Sequence, residues 1–214
     1  MTRAIPIRSQ DRRIAQVGDF FDSTKRYYDN VAEHMVVKLF TGDCYVTQNP
    51  RELLITILGS CVAVCMRDPV ARVGGMNHIL LPGTGSVDDI QGNPTRYGAF
   101  AMEQLINGLL KMGAVKQRLE CKLFGGGNVL RNSSLIGENN IHFVRHYLHN
   151  EGLLIHAEDT GGEYPRRIHY FPDTGRVRMR RLKRKDDMLI TQRESQFVTQ
   201  IDQPVSTSDN IELF

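Results

Sequence analysis

Two residues in the central part of the chain, Cys61 and His78, have the types needed for a nucleophilic pair. A free thiol has a pKa of ~8.5, so only a small fraction is thiolate at neutral pH. An imidazole within hydrogen-bonding distance can take the thiol proton and later protonate a leaving amine. Gly59 and Ser60 precede the cysteine and give a close approach with little side-chain bulk, so the backbone N–H of Cys61 could serve an oxyanion. The pattern indicates acyl chemistry at a thiol.

A predicted hairpin brings these two residues together. The segment 68–71 has proline at its second position, which is typical of a turn. A turn centred in the middle of this segment places Cys61 directly opposite His78, with Cβ atoms ~4.5–5.5 Å apart. A bulge at Gly74 and Gly75 would shift this register by one residue. The alternative is that both side chains are ordinary core residues, because cysteine is among the residues most often buried.

The segments around this hairpin predict a mixture of strands and two helices. Apolar residues at three- and four-residue spacing predict helices over 97–112 and 138–150. Short apolar runs closed by turn residues predict the strands. These strands cover residues 35–40, 53–58, 61–67, 72–81, 119–124, 153–157, 167–171 and 176–182.

Composition excludes several classes of protein. The 214 residues contain no run near the ~18 apolar residues of a membrane span and no N-terminal secretory signal, so we expect a cytoplasmic protein. The net charge of +3 is too balanced to indicate a nucleic-acid partner. The four cysteines show no disulfide framework or metal spacing, so each is judged singly. They are Cys44, Cys61, Cys65 and Cys121.

Composition also divides the chain into three parts. Residues 1–35 are polar and charged and predict a partly ordered N-terminal arm. Residues 36–182 have a globular pattern and a length close to the ~150 residues of one domain. Residues 183–214 predict a polar, flexible C-terminal tail, because chain ends usually fray.

Three further clusters each allow a structural and a functional interpretation. The glycine-rich segment 124–128 is a tight strand exit or a loop that faces a substrate or partner, and it lacks the Gly-Lys-Ser/Thr of a phosphate loop. His142, His146 and His149 are surface residues or one face of a metal site. The basic residues within 176–185 belong to a solvated strand and tail or contact an acidic partner.

The motifs around Cys61 and His78 resemble the CheD family of chemoreceptor glutamine deamidases. The resemblance covers about residues 25–182, and its two central motifs are specific when they occur in this order. The motifs are Leu58-Gly59-Ser60-Cys61-Val62-Ala63-Val64-Cys65, Arg67-Asp68-Pro69, Gly74-Gly75-Met76-Asn77-His78, Lys122-Leu123-Phe124-Gly125-Gly126-Gly127, Ile136-Gly137-Glu138-Asn139-Asn140 and Glu158-Asp159-Thr160-Gly161-Gly162.

The resemblance implies an α+β fold: a single layered α/β domain built around a β-sandwich, similar to the catalytic core of a bacterial toxin deamidase. It implies that Cys61 is the nucleophile and His78 the base, and we expect Gly59 and Ser60 to lie at the oxyanion. The family's third catalytic residue is a threonine shortly before the Gly-Ser-Cys motif. Thr56 is the only threonine there, but an ungapped register puts Ile55 at the family position. Thr56 therefore either orients His78 or packs in its strand.

The implied reaction is hydrolysis of selected chemoreceptor glutamines to glutamates through a thioester, without a metal or an organic cofactor. Some relatives also hydrolyse glutamyl methyl esters, and some pair with a CheC-type phosphatase. The substrate would be the cytoplasmic helices of receptors, with no nucleic acid and no membrane insertion. Two alternatives stay open: an adaptor that mainly docks on receptors or a CheC-type phosphatase, and a cysteine hydrolase of another amide.

Overall fold

Ten strands and three α-helices make up the part of the chain that the structure describes. The computed structural model describes residues 20, 25–81, 93–129, 134–182 and 187–201. The strands are β1 (Arg26–Asp29), β2 (His34–Lys38), β3 (Cys44–Thr47), β4 (Glu52–Leu58), β5 (Val62–Asp68), β6 (Val73–Asn77), β7 (Glu120–Gly125), β8 (Ile155–Thr160), β9 (Arg166–Phe171) and β10 (Arg176–Arg181). The helices are α1 (Asn93–Lys111), α2 (Ser134–Asn150) and α3 (Asp187–Ile201), and a short 3-10 turn covers Lys116–Arg118.

The strands form two mixed sheets of five. Sheet A has the order β1-β2-β4-β9-β10, in which β2 and β4 are parallel and the other neighbours are antiparallel. Sheet B has the order β3-β6-β5-β7-β8, in which only β7 and β8 are parallel. The central strands β4 and β5 follow each other in sequence but belong to different sheets, so the segment between them crosses from one sheet to the other.

Side chains alternate across the central strand β5 and so divide the core into layers. Val62, Val64 and Met66 face α1 and α2, which cover the outer face of sheet B. Ala63 and Cys65 face sheet A and fill the interior between the sheets. A third apolar cluster, which includes Ile190 of α3, lies on the outer face of sheet A. These layers confirm the α+β domain built around a β-sandwich.

The strands that the sequence analysis did not predict, β1 and β3, lie at one edge of each sheet. β1 alternates exposed and half-buried residues, and β3 is only half-buried over most of its length. Neither presents the continuous apolar run that identifies a buried strand. The boundary of the N-terminal arm therefore differs from the predicted one. Residues 26–29 and 34–35, which the sequence assigns to the arm, pair within sheet A.

Helix α3 lies within residues 183–214, where the sequence predicts a flexible tail, and that prediction is wrong over Asp187–Ile201. The apolar residues of this segment fall in two groups, at 188–190 and at 197, 198 and 201, so its sequence lacks the regular three- and four-residue spacing of a helix. Packing against the sandwich stabilises it, which is the usual source of helix stability in proteins. Across the described ranges, no helix is long and apolar enough to cross a membrane.

The β5–β6 hairpin has a register two residues away from the predicted one. Cys65 pairs with Met76 and Asp68 with Val73, so the loop has four residues rather than two. The Asp68 carboxylate accepts hydrogen bonds from two backbone N–H groups of this loop, which favours the longer turn. Direct opposition of Cys61 and His78 is therefore wrong. A shift of two residues preserves the face on which each side chain lies, so both still point into the sandwich.

Candidate active site

Cys61 lies in the short crossing between β4 and β5, in a segment that we call the Cys61 loop (residues 59–61). The three carbonyls of this loop all have partners on one side. In chain order they accept hydrogen bonds from the N–H of Gly127 at 2.8 Å, the side-chain amide of Asn140 at 3.0 Å and the N–H of Gly126 at 2.7 Å. With its carbonyls held this way, the loop presents its three N–H groups together on the opposite side.

The glycine-rich segment after β7 allows this close backbone approach. Gly125 has a φ of +113°, and a Cβ atom there would lie 2.2 Å from the carbonyl oxygen of Cys61. No side chain other than glycine fits such a contact. The segment is therefore a tight strand exit that supports the Cys61 loop, which is one of the two interpretations that the sequence leaves open.

His78 is held in one orientation by the threonine at position 56. The Thr56 Oγ1 hydroxyl donates to the carbonyl of Leu39 at 2.8 Å and lies 2.8 Å from His78 Nδ1. A hydroxyl has a single proton, which is already given to Leu39, so Nδ1 must carry the hydrogen of the neutral ring. This assignment from the hydrogen-bond network leaves Nε2 with a free lone pair, as a general base requires.

Thr41 joins the base to the thiol. Its Oγ1 lies 3.4 Å from His78 Nε2 and 3.9 Å from Cys61 Sγ. Nothing in the local sequence pattern around this residue indicates where its side chain points. Its position follows from the turn at residues 41–43, where the N–H of Gly42 donates to the carbonyl of His78 at 2.9 Å.

A carboxylate from α3 occupies the N–H groups of the Cys61 loop. Glu194 Oε1 accepts from the N–H of Gly59 at 3.0 Å and of Cys61 at 3.2 Å. Its Oε2 accepts from the N–H of Ser60 at 3.0 Å and from the Ser60 hydroxyl at 2.5 Å. Sequence reasoning did not find Glu194, because no short-range pattern connects it with a loop more than a hundred residues earlier.

The electrostatics of the pair follow from its burial. Cys61 is 0% exposed, and burial together with the negative charge of Glu194 raises the pKa of its thiol well above the usual value. Burial also lowers the pKa of His78 below its usual value. In this arrangement the pair is neutral, as a protonated thiol beside an unprotonated imidazole.

A cavity of about 410 Å³ lies next to the pair, between α3 and the segment that follows β2. Its lining includes Thr41 and His78 on one side and Ile190, Glu194 and Phe197 of α3 on the other. The imidazole is therefore accessible from this space, while α3 forms one of its walls.

The five site residues predicted from the sequence meet in this one region: Gly59 and Ser60 beside Cys61, and Thr56 against His78. Of the alternatives for Thr56, contact with His78 holds, whereas Ile55 packs on the outer face of sheet A. The other cysteines lie apart as buried or half-buried thiols, and burial raises the pKa of Cys44 and of Cys121 to about 12.

The remaining clusters do not form a second centre. The three histidines at 142, 146 and 149 are exposed on α2. Within the described ranges, no group of three histidine, cysteine, aspartate or glutamate side chains has the geometry to hold a metal ion. The arginines of β10 are exposed, and one of them, Arg181, pairs with Asp159 at 3.1 Å.

The geometry indicates the class of site found in cysteine hydrolases. Such sites use a buried thiol, an imidazole with a fixed tautomer and a row of backbone donors.

Comparison with known sequences gives the family. A family model described as CheD chemotactic sensory transduction matches residues 80–181. With 48% identity over 196 residues, the chain is similar to the probable chemoreceptor glutamine deamidase CheD of Rhodopseudomonas palustris (strain BisA53), covering 91% of this chain and 92% of the relative. The chain belongs to the CheD family.

A second relative supports the same family. The probable chemoreceptor glutamine deamidase CheD of Saccharophagus degradans is 43% identical over 211 residues, which cover 95% of this chain and 96% of that protein. Among solved structures, the hypothetical protein YfiH of Bacillus licheniformis is 15% identical, with a TM-score of 0.35 over 70% of this chain and 68% of that chain.

Proposed function

We propose that this protein hydrolyses glutamine side-chain amides of chemoreceptors to glutamates, with Cys61 as the nucleophile. The observation that carries the proposal is the row of backbone N–H groups beside the thiol, which already holds a side-chain carboxylate, the product group of this reaction. Membership of the CheD family supports the choice of substrate, since the relatives named above are described as chemoreceptor glutamine deamidases.

The first half of the reaction forms a thioester. His78 Nε2 takes the proton of Cys61 Sγ, and the thiolate attacks the carboxamide carbon of the substrate glutamine. The amide oxygen becomes an oxyanion that accepts hydrogen bonds from the N–H groups of the Cys61 loop. When this intermediate collapses, the His78 imidazolium gives its proton to the departing nitrogen. The carbon–nitrogen bond breaks, ammonia leaves and a glutamyl thioester remains on Cys61.

The second half uses water. His78 Nε2 takes a proton from a water molecule as its oxygen attacks the thioester carbon, and the carbon–sulfur bond breaks. The proton returns to Cys61 Sγ, and the substrate leaves as glutamate. The balance is one water consumed and one ammonia released per glutamine. Thr56 acts as a positioning residue, because its hydroxyl holds the Nδ1 hydrogen and so keeps Nε2 basic in both halves.

The same proposal specifies the compartment, the partners and the catalytic unit of the enzyme. Receptor glutamines that undergo this reaction lie on cytoplasmic helices, so the enzyme works in the cytoplasm and binds a helical substrate. A CheC-type phosphatase is a second partner to be tested. The catalytic unit comprises residues 36–182, with the edge strand β1 and helix α3 packed against it.

The test is turnover of a receptor cytoplasmic fragment, followed by ammonia release and by the mass change from amide to acid in individual peptides. Cys61→Ala is expected to abolish turnover and to retain binding in a pull-down. Cys65→Ala is the matched control, because it removes a buried thiol from the same face of the neighbouring strand and should retain turnover. Full activity of Cys61→Ala would end the proposal.

A second arm addresses the choice of substrate. Unrelated peptides that contain glutamine are compared with the receptor fragment at equal concentration. Preference for the receptor fragment supports a receptor deamidase, whereas equal turnover would indicate a general glutamine amidohydrolase. Binding of the receptor without any turnover in the wild-type protein would indicate an adaptor instead.

A further inference from the structure

One face of helix α3 lies against the sandwich and carries Ile190, Glu194 and Phe197. Ile190 packs on the outer face of sheet A, and Phe197 lies near the turn at Gly42 with its ring centroid 6.3 Å from that of Tyr97. Glu194 lies between these two apolar anchors and enters the site. The opposite face is open to solvent, as the 85% exposure of Met188 indicates.

The charge of Glu194 has an unusual environment. The side chain is 6% exposed, and among the described residues no lysine, arginine or histidine forms an ion pair with it. Its negative charge is balanced by four hydrogen-bond donors of the Cys61 loop. Backbone donors without a counter-charge are the arrangement that stabilises a transient oxyanion.

The same donors cannot serve a substrate while Glu194 occupies them. A Cβ atom on Gly59 would lie 2.9 Å from Glu194 Oε1 and 2.9 Å from Ile190 Cγ2, so the helix lies directly against the loop. The thiol of Cys61 has no exposed surface in this arrangement. A glutamine from another molecule can reach Cys61 only when α3 moves away.

The chemistry of the occupant is informative. Deamidation of glutamine leaves a glutamate side chain on a helix, and α3 presents a glutamate side chain on a helix to the proposed nucleophile. We propose that α3 is an intramolecular product mimic: Glu194 occupies the carboxamide subsite and keeps the enzyme closed until a substrate helix displaces α3. This inference rests on the proposed function for its substrate, although the cover over Cys61 can be tested independently.

The first experiment measures access to Cys61 and needs no substrate. The full chain is treated with iodoacetamide, and alkylation of each cysteine is followed by peptide mass spectrometry. Glu194→Ala is expected to speed alkylation of Cys61 at least about tenfold, because the closed state loses its buried contact. Ser195→Ala, a change of the exposed neighbour on the same helix, should leave the rate unchanged. Equal Cys61 rates in the wild type and Glu194→Ala would overturn the proposal.

Cys65 and Cys121 report on the whole fold in the same experiment. If they also become reactive in Glu194→Ala, the sandwich itself has loosened, and Phe197→Ala then decides. That variant weakens the docking of α3 and leaves Glu194 and the Cys61 loop intact. Faster alkylation of Cys61 alone supports the cover, whereas an unchanged rate in Phe197→Ala refutes it.

The second experiment tests whether the subsite is the catalytic one. Glu194→Gln places a carboxamide where the carboxylate lies. Cys61 is expected to convert it to glutamate through the thioester described above, with one water consumed and one ammonia released. The mass of the peptide that contains residue 194 reports the change, and Glu194→Gln combined with Cys61→Ala should keep its glutamine. The proposal that α3 is a product mimic would be refuted if Glu194→Gln deamidates the receptor fragment but keeps its own introduced carboxamide.

Receptor turnover separates the two proposals. Glu194→Ala is expected to raise kcat/KM for the receptor fragment severalfold, because an internal competitor is removed. Faster Cys61 alkylation with no receptor deamidation by any variant would refute the proposed function and leave the cover by α3 standing. If wild type and Glu194→Ala deamidate the receptor fragment with the same kcat/KM, Glu194 is not an internal competitor. The proposed function would then still stand.

Discussion

The hydroxyl of Thr56 links the fold to the proposed chemistry, and Thr56→Val tests that link with almost no change in shape. The side chain is 0% exposed, its Oγ1 donates to the Leu39 carbonyl, and it accepts from His78 Nδ1, both at 2.8 Å. Valine removes the hydroxyl and leaves a buried carbonyl and a buried ring N–H without their partner. The substitution therefore perturbs two hydrogen bonds and little packing.

The magnitude follows from those two groups. A buried polar group left without a partner costs about 1–3 kcal/mol, so Thr56→Val should lower the free energy of unfolding by about 2–6 kcal/mol. In a chain of this size each kcal/mol lowers Tm by about 2–4 °C. For activity, loss of a correctly held general base should lower kcat by about 10²–10⁴-fold. KM should change little, because Thr56 is buried and does not contact the substrate.

The assay combines receptor deamidation with thermal unfolding on the same preparations. Thr56→Ser is the matched control, since it retains the hydroxyl and removes one methyl group, at about 1 kcal/mol of stability. It should rescue most of kcat. Turnover is measured well below the Tm of the valine variant, so that the loss of stability does not contribute to kcat. A folded Thr56→Val protein with the wild-type kcat would refute the assignment of the His78 tautomer and the positioning role of Thr56.

Three further predictions concern the supports of the Cys61 loop and one buried carboxylate. Gly125→Ala should destabilise the protein and abolish turnover, because the new methyl group meets the Cys61 carbonyl at 2.2 Å. Melting followed by circular dichroism measures the stability, and the deamidation assay measures turnover. A wild-type Tm would contradict the contact. Asn140→Ala should lower the unfolding free energy by about 2–6 kcal/mol and reduce kcat, because this buried amide donates to the loop at 3.0 Å and also accepts the N–H of Leu81 at 2.8 Å. An unchanged midpoint of chemical denaturation would contradict this prediction. Burial would raise the pKa of Asp68, but hydrogen bonds from Arg118 and from backbone N–H groups hold it well below its usual range, so the stabilisation is present above the unfolded pKa of ~3.9 and decreases as pH falls below it. Asp68→Asn should therefore flatten the pH dependence of stability below about pH 4, and an unaltered acid denaturation curve would contradict this.

The sequence by itself predicted a mixture of strands and helices, and its family motifs implied the layered α+β fold and the roles of Cys61 and His78. Long apolar runs identify the inner strands, since their side chains must be buried on both faces of a sheet. Cys61 and His78 both lie near the Thr41 hydroxyl despite the incorrect hairpin register, because a shift of two residues leaves each side chain on the same face. The family motifs then identified Thr56 as a candidate partner of the histidine, and its hydroxyl lies against the ring.

Only the tertiary structure decided what surrounds the pair. Thr41, Asn140 and Glu194 approach the site from a turn and two helices that are distant in sequence, and their side-chain directions depend on how those elements pack. Local patterns carry the period of a strand or helix, but they do not encode which distant polar group meets a buried N–H. The clearest case is α3: its weak pattern predicts a flexible tail, and yet the backbone donors of the Cys61 loop and two apolar contacts hold it across the site.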